Sequence, residues 1–236
     1  MTAGRGAATA DLLASRVEDA GLNASAPPQQ RWLDGWLLRL NPGKARRARC
    51  INAVAEGRLP LDEKLARAES TYRAAGLPLL QRITPFTRPA GLDAALAARG
   101  WREMDDTRVM ICPTLPAVPH SGPPKPGLSL VPLGPDDYAA TVGALRGTTS
   151  AAIAAHAERL RCAPVPHRAF ALQEADGGRV VACGQFALED DLAGLYDVFT
   201  HPEARRTASS TSSTSTVPET MSHVSGSVAR SAIASQ

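Results

Sequence analysis

Cysteine is scarce and badly spaced for cross-linking. The chain has four in 236 residues, Cys50, Cys112, Cys162 and Cys183, and none forms a C-x-x-C pair. That spacing offers neither a zinc motif nor a disulfide framework, so buried reduced thiols and no metal site are expected. No stretch approaches the roughly 18 consecutive apolar residues of a membrane span. The segment Met1–Ala10 also lacks the apolar centre of a secretory signal. A cytoplasmic protein without a membrane partner is expected. Charge of one sign is not in excess either: 26 basic residues face 23 acidic ones, for a net charge of +3. That balance gives no electrostatic reason to expect nucleic acid as a partner. A Ser or Cys nucleophile motif with an acidic partner is missing too, which leaves His201, next to Pro202, as a turn residue.

The apolar fraction of 44% is that of a globular chain with a real core. Leu12, Leu13, Arg16, Val17 and Ala20 recur at helical spacing, with Gly21 as the expected stop. Trp32–Leu40 reads as one strand, with Trp32 and Trp36 on the same face and in the core. Asn41-Pro42-Gly43 then turns it toward a second strand through Ile51. Leu61, Leu65, Ala68 and Tyr72 mark a helix opened by Pro60 and closed by Gly76. A strand at Leu79–Ile83, a helix at Leu92–Arg99 and two extended segments around Asp105-Asp106 complete a first unit over 1–115. The basic run Lys44, Arg46, Arg47 and Arg49 reads as a solvated hairpin edge that blocks further pairing.

Prolines 116, 119, 123, 124 and 126 mark an extended linker over 116–127. A second unit over 128–206 follows. It has a strand at Leu128–Leu133, a helix with Asp136 and Asp137 in its first turn, and an alanine-rich helix near Ala151–Arg161. Three strands come next, Ala169–Glu174, Val180–Leu188 and Leu192–Thr200, with Glu189 and Asp190 as solvated turn residues. Positions 209–216 are all Ser or Thr. Apolar residues are too sparse there to offset ordering entropy, so 207–236 is expected to be a disordered tail.

The run Leu195-Tyr196-Asp197-Val198-Phe199-Thr200-His201-Pro202-Glu203-Ala204-Arg205-Arg206 resembles the fourth strand of the GNAT (GCN5-related) N-acetyltransferases and its exit toward their R-x-x-G-x-G/A loop. The order helix, helix, three-stranded meander agrees with that family over Leu128–Arg206. Trp32–Arg39, Leu61–Gly76 and Leu92–Trp101 resemble the partial GNAT unit that precedes the catalytic one in a bacterial two-unit subgroup. The resemblance implies an α+β fold of two GNAT-like units, with a mixed, mostly antiparallel sheet flanked by helices in the second. It implies transfer of an acetyl group from acetyl-CoA to a primary amine on a small molecule or peptide, by direct attack on the thioester. On the matching positions, Asp197 would be the general base, Val198 and Phe199 backbone groups would hold pantetheine, and Arg205, Arg206 and Ala208 would lie near the pyrophosphate.

Period-2 alternation puts Asp197 and Phe199 on one face and Tyr196 and Val198 on the other without deciding which faces a cleft, so a structural role for Asp197 stands beside the catalytic one. The family's glycines are replaced by Ala208 and Ser210, and no helix, fifth strand or distal tyrosine acid is legible beyond Arg206. The second unit is therefore expected to be incomplete, its reading frame or gene end altered near Arg206. A non-catalytic binding or regulatory module is the alternative, and the oligomeric state is left open.

Overall fold

The computed structural model describes residues 3–113, 126–176, 178–209 and 228–234. They belong to two compact units, Met1–Met110 with Val224–Gln236, and Ile111–His223. The linker expected at 116–127 falls almost wholly outside the described residues.

The first unit opens with helix α1 (Ala3–Ala24). Gly21 does not stop this helix but lies inside it, and a Cβ there would stand 2.9 Å from the Arg47 guanidinium, so its smallness makes room for that side chain. The single strand expected over Trp32–Leu40 is a hairpin of β1 (Gln30–Leu33) and β2 (Trp36–Arg39). Asp34 (φ +44°) and Gly35 (φ +82°) form the turn, the Asp-Gly signature of a tight hairpin. Reversal there separates the two tryptophans: Trp36 is 1% exposed and Trp32 64%.

After β2 come a short turn of 3-10 helix (Arg46–Ala48), β3 (Ile51–Ala53), α2 (Leu61–Ala74), β4 (Leu80–Ile83), α3 (Leu92–Ala97) and β5 (Arg102–Arg108). The two segments expected around Asp105-Asp106 are one strand, with Asp105 at φ +52° in a bulge where Asp105 and Asp106 together oppose Arg230. Leu92, Leu96, Ala68 and Tyr72 of the helices pack on Trp36, Leu38 and Ile51 of the sheet.

The sheet order is β1-β2-β3-β4-β10-β5, where β10 is Val228–Ile233. These residues were expected to lie in a disordered tail, and their strand is a correction. Between β4 and β5 two rows of backbone donors and acceptors face each other across one strand's width, and β10 pairs antiparallel with both. Tertiary hydrogen bonding thus supplies what local composition lacks. The parallel pair β3–β4, Ile51 opposite Gln81 and Asn52 opposite Arg82, makes this sheet mixed, with α2 as the crossover a parallel pair requires.

The second unit holds β6 (Leu128–Leu133), α4 (Pro135–Leu145), α5 (Ser150–Arg161), β7 (His167–Glu174), β8 (Val180–Glu189), β9 (Leu192–Thr200) and α6 (Pro202–Ser209). Its sheet, β6-β7-β8-β9, is wholly antiparallel, whereas the mixed sheet was expected in this unit. The expected meander is present, with Asp190 at φ +51° in the β8–β9 turn. Tyr138, Val142 and Leu160 of the helices pack on Ala169 and Cys183 of the sheet, with Phe199 partly buried beside them. Buried thiols are found at Cys50 and Cys183, while Cys112 and Cys162 are exposed; none of the four is in a disulfide.

Candidate functional site

Strand β9 departs from regular pairing where the resemblance placed its chemistry. Gln185 pairs with Tyr196 and Cys183 with Phe199, so Asp197 and Val198 together oppose Gly184. This is a β-bulge, which re-aims side chains. Asp197 takes φ +50°, in the left-handed region that Asp tolerates better than most residues. The bulge breaks the period-2 alternation on which the sequence reading relied. Phe199 packs toward the core while Val198 is 61% exposed.

The Asp197 carboxylate is the centre of a polar cluster. It accepts a hydrogen bond from Gln185 Nε2 at 3.0 Å and one from Arg146 Nη1 at 3.2 Å. Arg159 Nη2 lies at 3.8 Å and His156 Nε2 at 3.4 Å. Three elements converge here: Arg146 caps the end of α4, His156 and Arg159 share one face of α5, and Gln185 projects from β8. Tyr138 on α4 donates its hydroxyl to the Asp197 backbone oxygen at 3.1 Å, tying helix to bulge.

Burial sets the protonation of this cluster. Burial, followed by the charges of Arg159 and Arg146 and opposed by Asp197, brings the His156 imidazole down to about 4, so it is neutral at neutral pH. Burial also raises the Tyr138 hydroxyl, with Cys183 and Asp197 adding to it, and keeps it a donor. Arg159, 4% exposed, is lowered by burial and supported by Asp197.

The other residues singled out in the sequence divide. Arg205 belongs near the bulge: its Nε donates to Thr200 O at 2.9 Å, and its guanidinium lies 5.6 Å from the centre of the Phe199 ring, as does that of Arg146. Arg205, Arg206 and Ala208 do not form a loop as expected. They lie in α6, where Pro202 and Glu203 suit a first turn and Ala204, Arg205 and Arg206 favour helix. His201 is a turn residue, its Nδ1 accepting from Glu203 N at 3.4 Å. Sequence reasoning missed Tyr138, Arg146, His156, Arg159 and Gln185. The spacing of His156 and Arg159, one helical turn apart, is the only local trace of that cluster.

In the first unit the turn between β1 and β2 holds the loop before α2. Asp34 accepts from Arg58 N and Leu59 N at 2.8 Å and from Lys64 Nζ at 2.9 Å. The hydrogen bond from Lys64, then those from Leu59 and Arg58, holds the Asp34 carboxyl at about 2. That helix start is thus already supplied with an anion. Among the described residues no group of His, Cys, Asp and Glu has the arrangement of a metal site, and no helix is long and apolar enough to cross a membrane.

No family model matches the chain, and no curated protein matches it in sequence. Among solved structures it is similar to a GCN5-related N-acetyltransferase from Kribbella flavida, with a TM-score of 0.52 and 17% identity over 83% of this chain and 75% of that one. The chain therefore has a fold of the GCN5-related acetyltransferase kind.

Proposed function

We propose that the protein is an N-acyltransferase that moves an acetyl group from acetyl-CoA to a primary amine, with the second unit as the reacting domain. The observation that carries this reading is the bulge at Asp197-Val198 on β9, the outermost strand of its sheet among the described residues, followed directly by α6. An outermost strand has backbone groups free to bind an extended ligand, which fits the pantetheine arm at Val198 and Phe199. Arg205, and Arg206 and Ala208 within α6, are the positions proposed near the phosphates. Acetyl-CoA would supply the thioester carbonyl that the amine attacks, with coenzyme A thiolate as leaving group. Asp197 would receive the ammonium proton directly or through a water.

Calorimetric titration with acetyl-CoA is the test, followed by thiol release with a panel of small-molecule and peptide amines. At about 100 times Kd the ligand adds about 2.7 kcal/mol of stability, readily seen in melting. A folded chain with no saturable binding defeats the reading. The alternative, a non-catalytic binding module, draws on a different observation: Gln185 and Arg146 already occupy the Asp197 oxygens, and Leu195 and Val198 on β9 are 75% and 61% exposed. Concentration-dependent self-association that is lost in Leu195→Lys would favour it.

A further inference from the structure

The basic run Lys44, Arg46, Arg47 and Arg49 was read in the sequence as the solvated edge of a hairpin. The sheet order removes that role, because β2 and β3, which flank the run, both lie inside the sheet. The run instead folds through a turn of 3-10 helix and meets Arg82 of β4 with Asp105 and Thr107 of β5 around a cleft of about 520 Å³.

Five cations and one carboxylate line this cleft. Asp105 pairs with Arg46, and Glu18 of α1 pairs with Arg82, its Oε2 2.9 Å from Nη2. Buried Arg39, 2% exposed, lies close behind, its Nη1 3.5 Å from the Arg47 backbone oxygen. The Nε of Arg49 is buried and has no hydrogen-bond partner among the described residues. Burial and then the charge of Arg46 press Arg49 below the usual arginine range, and burial brings Arg39 to about 10, with Arg47 and Arg82 adding. Collecting like charges at a partly desolvated site is costly without an anion. Arginine forks match phosphate oxygens in charge and geometry, and the volume suits a ligand larger than inorganic phosphate.

We propose that this cleft binds a small ligand carrying two or more phosphate charges. The inference does not rest on the transferase reading.

Inorganic pyrophosphate is the probe, titrated calorimetrically into the full chain at matched ionic strength beside chloride and sulfate controls. Saturable binding is expected, weakening with salt and falling about tenfold or more in each of Arg46→Gln and Arg49→Gln, the effect of one charge-assisted hydrogen bond. On the wild-type chain, pyrophosphate should protect Arg46, Arg47 and Arg49 from phenylglyoxal as read by mass spectrometry, which keeps the test valid if a variant fails to fold. Absence of saturable binding, absence of protection, or tighter binding of a DNA oligonucleotide at the same residues overturns the proposal. Pyrophosphate binding without acetyl-CoA binding upholds this site and defeats the transferase; acetyl-CoA binding without pyrophosphate binding does the reverse. Displacement of pyrophosphate from these arginines by acetyl-CoA supports the site and identifies the coenzyme's phosphates as its source.

Discussion

Replacing Asp197 by asparagine removes one negative charge from the cluster and leaves the backbone requirement met, because Asn tolerates φ +50° as Asp does. The carboxylate faces Arg146 at 3.2 Å and Arg159 at 3.8 Å. The first contact counts for little, since the Arg146 side chain is 36% exposed and water screens it. The second involves an arginine side chain only 5% exposed. Breaking a fully buried pair costs about 3–5 kcal/mol. Asp197 itself is 26% exposed and the contact is long, which reduces the expected loss to about 2 kcal/mol. For a unit of this size that is a fall of roughly 5–10 °C in melting temperature. Asp197→Ala adds the left-handed backbone cost of about 1–2 kcal/mol and should melt lower still. Differential scanning calorimetry on wild type, Asp197→Asn and Asp197→Ala reads both steps. If Asp197→Asn melts with the wild type, the cluster is not held by this charge; if Asp197→Ala equals Asp197→Asn, the bulge geometry is wrong.

Three further outcomes follow from the packing. His156 titrates near 4 when folded, against 6.5 as its ordinary value, so the unfolded chain takes up a proton that the folded one refuses. Stability should fall as pH drops from 6.5 toward 4, by about 3 kcal/mol in all, and urea titrations of His156→Gln should show a shallower slope in that window. Gly35→Ala would place a Cβ 2.6 Å from the Ala55 carbonyl at φ +82°. A loss of about 2 kcal/mol or more is expected in denaturant melts, and wild-type stability would refute the turn. Deleting 224–236 removes β10, leaving β4 paired with β3 alone and β5 without a partner strand among the described residues, so amides of Arg102–Arg108 should lose hydrogen-exchange protection; unchanged protection would place β10 elsewhere.

How much was legible depends on how local the cause is. The helix at Leu61–Ala74 and the meander at 167–200 follow from spacing within ten residues or so, and both are present with boundaries near those expected. The Asp34-Gly35 turn was equally local and its signal was in plain view, but the alternation of Trp36, Leu38 and Leu40 reads as one strand when it is carried back to Trp32. Strand β10 was illegible for a different reason. Val228, Ala232 and Ile233 are a weak apolar signal after a Ser/Thr run, and the strand exists because β4 and β5 leave a gap of its width.

The two polar clusters show the same division. Asp197 could be singled out from the residues around it, since Leu195–Arg206 is a contiguous pattern. Its partners Arg146, His156, Arg159 and Gln185 are drawn from three elements and come together only when α4 and α5 pack on the sheet at the bulge. The basic run at 44–49 was visible as charge, yet its meaning changed once Arg82 and Thr107 closed a cleft around it. Amino-acid order by itself determined which segments are helix or strand and which residues carry charge, because those properties reside in near neighbours. Strand insertion, burial and the company each charge keeps were decided by tertiary packing, because they depend on hydrogen bonds and desolvation between residues far apart in the chain.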